Sequence, residues 1–322
     1  MGGGRSGRVA RLGAGSLLLV LALSACSRAD IEDKLRFGWP RGITEQAQRI
    51  RELWTWSTVA ALIVGVLVWG LIFWAAIVYR RRDSELPRQT KYNLPIEALY
   101  TVVPFLIVAV LFYYTVITQS FVTDTKPQAD TTVTVTAFKW NWQFNYNDRR
   151  DPRTDDIMYV VGTDTDIPIL VVPENKNVRV IVGSNDVIHS FWVPELLFKR
   201  DVFPAPEKNQ NNVFQIRPTV RGAYVGRCAE LCGAYHSQMN FEMRVVSESD
   251  YTRYLNALAG FGNDDLDRQA KALTAIGQPS RATTTEPFDT DRTRRAPSGS
   301  GNDAAGSGGR TAGTGTSGDQ GG

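Results

Sequence analysis

The stretch "WTWSTVAALIVGVLVWGLIFWAAIVYRRR" (Trp54–Arg82) carries no charge until its last three residues. At about 1.5 Å of rise per helical residue, the run from Trp54 to Tyr79 is longer than the roughly 30 Å hydrocarbon core of a bilayer. Trp54 and Trp56 stand at one end and Trp74 and Tyr79 near the other, as aromatic residues do at the two membrane–water boundaries. Arg80, Arg81 and Arg82 follow at once, so the positive-inside rule makes that end cytoplasmic. The hydrophilic loop from Asp83 to Asn93, with Arg88 and Lys91, agrees. A second uncharged run spans Ala98 to Thr123, and the Pro104 near its start is tolerated in membrane helices. The two runs predict a helical hairpin whose outer flanks both lie outside the cell. Two buried helices of a soluble core would be shorter and would lack these flanking charges.

Working towards the N-terminus, Arg5, Arg8 and Arg11 precede "SLLLVLAL" (Ser16–Leu23), the n-region and h-region of an export signal. "LSAC" (Leu23–Cys26) then places a cysteine just after small residues, like a bacterial lipobox. The expectation is a lipoprotein signal peptide over 1–25, a Cys26 that becomes lipidated, and an external segment over 26–53.

Working the other way, the pattern changes to period two from about residue 130. "TTVTVTA" (Thr131–Ala137), "VRVIV" (Val178–Val182), "VFQIR" (Val213–Arg217) and "FEMRVV" (Phe241–Val246) read as strands, separated by turn-rich "NDRRDPRTDD", "VPENKN" and "PAPEKNQNN". Short strands with such breaks predict an antiparallel sandwich or barrel over 124–260. Asp250 to Ala275 predicts a short surface helix. From about Gly277 the chain turns to Gly, Ser, Thr, Arg and Asp, and the C-terminal segment 261–322 is expected to end in a disordered tail. A net charge of +3 gives no reason to expect nucleic acid.

"CAELCGAYHSQM" (Cys228–Met239) holds two of the three cysteines and one of the two histidines in the chain. An exported Cys-x3-Cys pair is ordinarily a disulfide, but closing so small a loop would add little stability. Zinc would accept two cysteines and two histidines, yet it has no use for Met239. Thiolate with thioether is a copper set. A single blue copper takes one cysteine, two histidines and an axial methionine, which leaves one thiolate over. Two coppers sharing both thiolates use the whole set. His189 and His236 then serve one metal each, Met239 serves one, and a carbonyl between Ala229 and Leu231 serves the other.

With "DVIHSFWVPEL" (Asp186–Leu196) upstream, this pattern of His, then C-x-E-x-C-x3-H-x2-M, resembles the binuclear copper A site of cytochrome c oxidase subunit II. The resemblance runs from about Trp54 to Tyr254, in a bacterial lipoprotein form. It implies a transmembrane hairpin followed by an all-β cupredoxin-like sandwich. It further implies that His189, Cys228, Cys232, His236 and Met239 ligate two copper ions by side chain and Glu230 by its backbone carbonyl. The Glu230 side chain becomes a candidate ligand for magnesium shared with subunit I. "FKWNWQFNY" (Phe138–Tyr146) resembles the aromatic stretch through which the family receives electrons, which maps that role to Trp140. "PIEALYTVVP" (Pro95–Pro104) resembles the start of the second membrane helix, which puts Glu97 at the mouth of a proton path into subunit I.

The implied partners are subunits I and III, membrane lipid, and a cytochrome c, soluble or carried by a bc1-type complex. The implied activity is electron transfer from cytochrome c to the haem and copper centres of subunit I, where oxygen is reduced and protons are pumped. The implied location is the bacterial plasma membrane, with the copper domain on its outer face. Acidic Asp186, Glu195, Asp201 and Glu207 surround the motif and would attract basic partners. The charged segment 147–166 is atypical and would reshape the docking surface. A quinol oxidase subunit would lack the copper ligands, a nitrous oxide reductase would need a histidine-rich domain, and a copper carrier would have no use for the hairpin. The absence of C-x-x-C-H excludes a fused haem c domain.

Overall fold

A computed structural model of the chain describes residues 34, 36–81, 89–205 and 212–287. The signal segment and Cys26 lie outside the described residues. Helix α1 (Glu45–Val78) begins well ahead of Trp54, because Thr44 caps it by accepting the Ala47 amide at 3.0 Å and Glu45 favours the positive end of the helix dipole. Helix α2 (Leu94–Thr123) is capped by Asn93 and runs through Pro104. In both helices the apolar stretch, with mean hydropathy 2.6 and 2.2, has no buried residue. Apolar on every side and covered on none, the pair is built for lipid or for partner helices.

The first turn of α1 is fastened to the domain that follows. The Ile43 amide donates to the Glu195 carbonyl at 3.1 Å, the Thr219 amide to the Ile43 carbonyl at 2.8 Å, and the Arg217 amide to Gln46 Oε1 at 3.2 Å. Ile43, Thr44 and Ala47 are buried there.

Ten strands follow. They are β1 (Thr131–Phe138), β2 (Asn141–Arg150), β3 (Ile157–Val161), β4 (Ile169–Pro173), β5 (Val178–Ser184), β6 (His189–Val193), β7 (Phe198–Val202), β8 (Val213–Ile216), β9 (Gly222–Cys228) and β10 (Asn240–Val246). They form two five-stranded sheets in the orders β3-β2-β1-β5-β8 and β4-β10-β9-β6-β7. The sandwich is as expected, but it is not purely antiparallel: β1 pairs with β5, and β4 with β10, in parallel. Period-two patterning reports which face of a strand is buried and is blind to strand direction.

The core lies between the sheets. Val133, Val135 and Ala137 of β1 and Trp142, Phe144 and Tyr146 of β2 point inward, alternating with less buried neighbours. Phe241 stacks on Phe191 at 4.8 Å and meets Trp142 and Phe144 edge-on at 5.3 and 5.5 Å. Burying each such ring is worth about 1.5–3 kcal/mol. Gly226 on β9 passes directly beneath Phe241; a Cβ there would lie 2.2 Å from the ring.

The C-terminal region departs from expectation. Instead of one short surface helix there are two packed ones, α3 (Glu248–Phe261) and α4 (Arg268–Ala275), which bury Tyr251, Tyr254, Leu255, Leu258, Ala272 and Leu273. Residues 277–287, expected to begin a disordered tail, lie along β10. Glu242 and Arg244 form a fully buried ion pair there, which must find further partners. Arg244 donates to the carbonyls of Pro279 (2.6 Å) and Arg281 (3.1 Å), and Thr283 and Thr284 donate amides and hydroxyls to Glu242 Oε2. A polar composition reads as disorder from sequence, yet here it supplies the donors and acceptors a buried pair requires. Residues 288–322 lie outside the described residues.

Segment 147–166 is mostly the β2–β3 hairpin. Its turn is closed by Asp151, which accepts the Asn263 amide at 2.7 Å and the Arg153 amide at 2.9 Å, tying it to the end of α3.

Candidate metal centre

Three elements converge at one end of the second sheet. His189 opens β6, Cys228 closes β9, and the two strands are paired with Phe191 opposite Cys228. The connection from β9 to β10 loops out from Cys228 and returns at Met239, closed at its base by the Cys228 amide donating to the Met239 carbonyl at 3.1 Å. The Ala229 amide donates to the Ser190 carbonyl, also at 3.1 Å, which ties the loop to β6. Gly233 adopts φ +130° in this loop, and a Cβ there would press on the Trp140 indole at 3.2 Å.

The two sulfurs lie 3.9 Å apart, and both cysteines are free. A disulfide requires about 2.05 Å, so the loop is not closed covalently. Each sulfur has its own imidazole: Cys228 Sγ is 3.8 Å from His189 Nδ1, and Cys232 Sγ is 3.6 Å from His236 Nδ1. Each also has one weak donor. The Glu230 carbonyl is 3.2 Å from Cys228 Sγ, and Met239 Sδ is 3.8 Å from Cys232 Sγ. His189, Met239 and both cysteines are buried. The donor atoms of His189, Cys228 and Cys232 all lie within 4.8 Å of one another. All six ligand positions expected from sequence are thus gathered in one place, and the donor set divides into two halves joined by the sulfurs.

The electrostatics favour a cation between those halves. Burial opposes ionisation of Cys228, but hydrogen bonds from His189 and from the backbone of Glu230 and Ser190 outweigh it and bring the thiol down to about 7. Burial and the neighbouring Cys228 charge push Cys232 up to about 12. Two thiolates 3.9 Å apart need positive charge to coexist. Two soft thiolates, two imidazoles and a thioether suit copper, and exceed what a closed zinc site uses.

His189 presents Nδ1 to the sulfur because its Nε2 is engaged with Asp186 Oδ1 at 2.8 Å. Asp186 is itself fixed by the Lys139 amide (2.7 Å) and the Val187 amide (2.6 Å). Burial opposes its ionisation, yet hydrogen bonds from His189, Lys139 and Val187 hold its carboxyl below the usual range. Sequence reasoning took Asp186 for part of an acidic surround. Its place three residues before a histidine, in a turn entering a strand, was the available signal for an orienting role.

Trp142 is buried and donates Nε1 to the Met239 carbonyl at 3.3 Å. Trp140, in the turn between β1 and β2, is half-buried and meets Tyr235 edge-on at 4.9 Å, next to His236. Sequence reasoning did not single out Tyr235. The Glu230 side chain is exposed and Glu207 lies outside the described residues. Glu97 is not brought to this site. It sits in the first turn of α2, at the helix end remote from the β domain, where it accepts the Asn93 amide at 2.9 Å.

A family model described as cytochrome c oxidase subunit II, periplasmic domain, matches residues 131–246, which is β1 to β10. A Nocardia farcinica protein named probable cytochrome c oxidase subunit 2 is 45% identical over 347 residues, spanning 90% of this chain and 91% of its own. The chain belongs to the cytochrome c oxidase subunit II family. A family member from Mycobacterium tuberculosis strain H37Rv is 42% identical, spanning 87% of this chain and 88% of its own. The solved periplasmic domain of cytochrome oxidase subunit II from Bradyrhizobium japonicum aligns with 42% of this chain and 98% of its own, at 26% identity and a TM-score of 0.35.

Proposed function

We propose that this chain is the subunit of a cytochrome c oxidase at which electrons from cytochrome c enter the complex. The observation that carries the reading is the two-sulfur centre in which each thiol has its own imidazole and its own weak donor. Cys228 and Cys232 would be shared by two copper ions, with His189, His236, Met239 and the Glu230 carbonyl completing the donor set. When bound, such a pair supplies reversible one-electron chemistry. The chain's own part is to hold the donors still. Asp186 fixes the His189 ring, the Cys228–Met239 hydrogen bond closes the loop, and Trp142 and Phe191 keep water from its inner side. Trp140, half-exposed and edge-on to Tyr235, is where a docked cytochrome c would deliver its electron.

The oxygen-reducing site and proton pumping belong to subunit I in this reading, with subunits I and III packing on the uncovered faces of α1 and α2. The Glu230 carboxylate would meet magnesium at the subunit I boundary, and Glu97 would stand at a proton path on the cytoplasmic side. The β domain would face outward, with Cys26 as a lipid anchor. The test is to purify the full chain in detergent, load it with copper, and measure copper stoichiometry and the EPR spectrum. Two coppers per chain with hyperfine splitting from both nuclei are expected, and Cys228→Ser should abolish that pattern. One copper with a blue-copper spectrum would sink the reading.

A further inference from the structure

Where the hairpin joins the β domain there is a cleft of about 900 Å³ that the metal centre does not use. Lys126, Lys176, Arg179 and Arg217 line it, against a single carboxylate, Asp130. Two of these cations are already matched: Lys176 pairs with Glu248 at 2.8 Å and Arg217 with Glu45 at 3.2 Å. Asp130 accepts the Asn177 amide at 2.7 Å. Among the described residues the cations of this lining without an ion-pair partner are Lys126 and Arg179. Arg179 is pinned by donating Nη2 to the carbonyls of Lys126 (2.7 Å) and Pro127 (2.9 Å), while its Nε is buried with no acceptor.

The height of this cleft follows from the chain. Lys126 lies three residues beyond Thr123, where α2 ends, and Glu45 lies in the first turn of α1. One helical turn further along α1, Arg49 stands 5.5 Å from the Phe121 ring, at the head of a groove of about 700 Å³ between α1 and α2. Leu53, Trp56 and Ala60 form one wall, and Val110, Leu111 and Ile117 the other.

We propose that this seam binds an anionic phospholipid, with its phosphate at Lys126 and Arg179 and one acyl chain in the groove. Lys126 and Arg179, the two lining cations with no ion-pair partner among the described residues, offer a headgroup phosphate its counter-charge. Beneath the Arg49–Glu52 pair at its head the groove is mostly apolar and offers a chain dispersion contacts. A partner helix would have to end its apolar stretch in carboxylates at this one level, whereas a phospholipid brings anion and chain already joined. Basic residues at the membrane surface attract anionic lipid in this way. The inference rests on the hairpin's crossing the membrane and is independent of the copper reading.

The test is native mass spectrometry of the full chain in detergent, titrated with phosphatidylglycerol or with phosphatidylcholine. Wild type should retain phosphatidylglycerol over phosphatidylcholine by about fivefold, the worth of one matched charge. Lys126→Gln should remove that preference, Lys126→Arg should restore it, and Ala60→Trp, which fills the groove, should lower retention of both lipids. Unchanged thermal unfolding of each variant confirms that the fold is intact. Equal retention of the two lipids by wild type, or an undiminished preference in Lys126→Gln, overturns the proposal. Inorganic phosphate that displaces phosphatidylglycerol and binds Ala60→Trp as well as wild type also overturns it, by assigning the cleft to a free anion.

Discussion

The hairpin and the β domain use the same apolar residues to opposite ends. In α1 and α2 no side chain of the apolar stretches is buried, while in β1 and β2 alternate side chains are almost completely covered. The helices satisfy their backbone internally and leave their side chains to whatever surrounds them. The sandwich satisfies its backbone between strands and must pack its side chains against each other. The hairpin is thus tolerant of shape and intolerant of charge, and the β domain is sensitive to both. The candidate metal centre belongs largely to the second regime: His189, Cys228, Cys232 and Met239 are buried, while His236 is half-buried.

The sharpest way to break this comparison is a matched pair of truncations. Phe241→Ala removes a ring that Phe191, Trp142 and Phe144 enclose and should cost about 3–5 kcal/mol. Phe105→Ala on α2, where the ring is 73% exposed, should leave unfolding of the β domain within about 0.5 kcal/mol of wild type. Thermal unfolding followed by near-ultraviolet circular dichroism measures both, and equal losses would end the contrast.

A second contrast is the pair of carboxylates assigned different work. Asp186→Asn should lower copper affinity by about 10- to 100-fold, because it loosens the His189 ring without changing its volume. Glu97→Gln should leave copper affinity unchanged. Competitive titration against a chelator separates the two. A further contrast concerns polar burial: Glu242→Gln leaves Arg244 uncompensated in the core and should cost about 3 kcal/mol, with faster proteolysis between Gly277 and Pro287.

The smallest effect is one of pH. Asp151 is held at about 2, chiefly by the amides of Asn263 and Arg153, below its ordinary 3.8. A depressed carboxyl contributes stability that is complete above its unfolded value and is lost as pH falls through the folded one. The tie between the β2–β3 turn and α3 should therefore weaken between about pH 4 and pH 2. Amide exchange at Asn263 should accelerate across that window in wild type, and Asp151→Asn should remove that dependence.

How much was legible differed between the two regions for a physical reason. The hairpin needs only length and polarity, both of which are local, so its apolar runs were plain. The start of α1 at Glu45 was not, because its first turns depend on a cap and on contacts with Glu195, Pro218 and Thr219, far away in the chain. The candidate metal-ligating residues were legible because five of the six lie within twelve residues and His189 was the only other histidine. Asp186 and Tyr235 escaped because their roles depend on how a turn aims a side chain. Residues 277–287 escaped because their partners, Glu242 and Arg244, lie inside a strand that reads as core.

The fastening of α1 at Ile43, Thr44 and Gln46 has a mechanical consequence. The β domain is joined to the hairpin twice, through that first turn and through the short link from Thr123 to Thr131. A body held at one point can swivel, and a body held at two behaves as a bracket. Helices adjust their tilt to bilayer thickness, and a bracketed domain must follow. With the hairpin in a membrane, as proposed, the stance of the candidate metal centre becomes a property of the bilayer as well as of the protein.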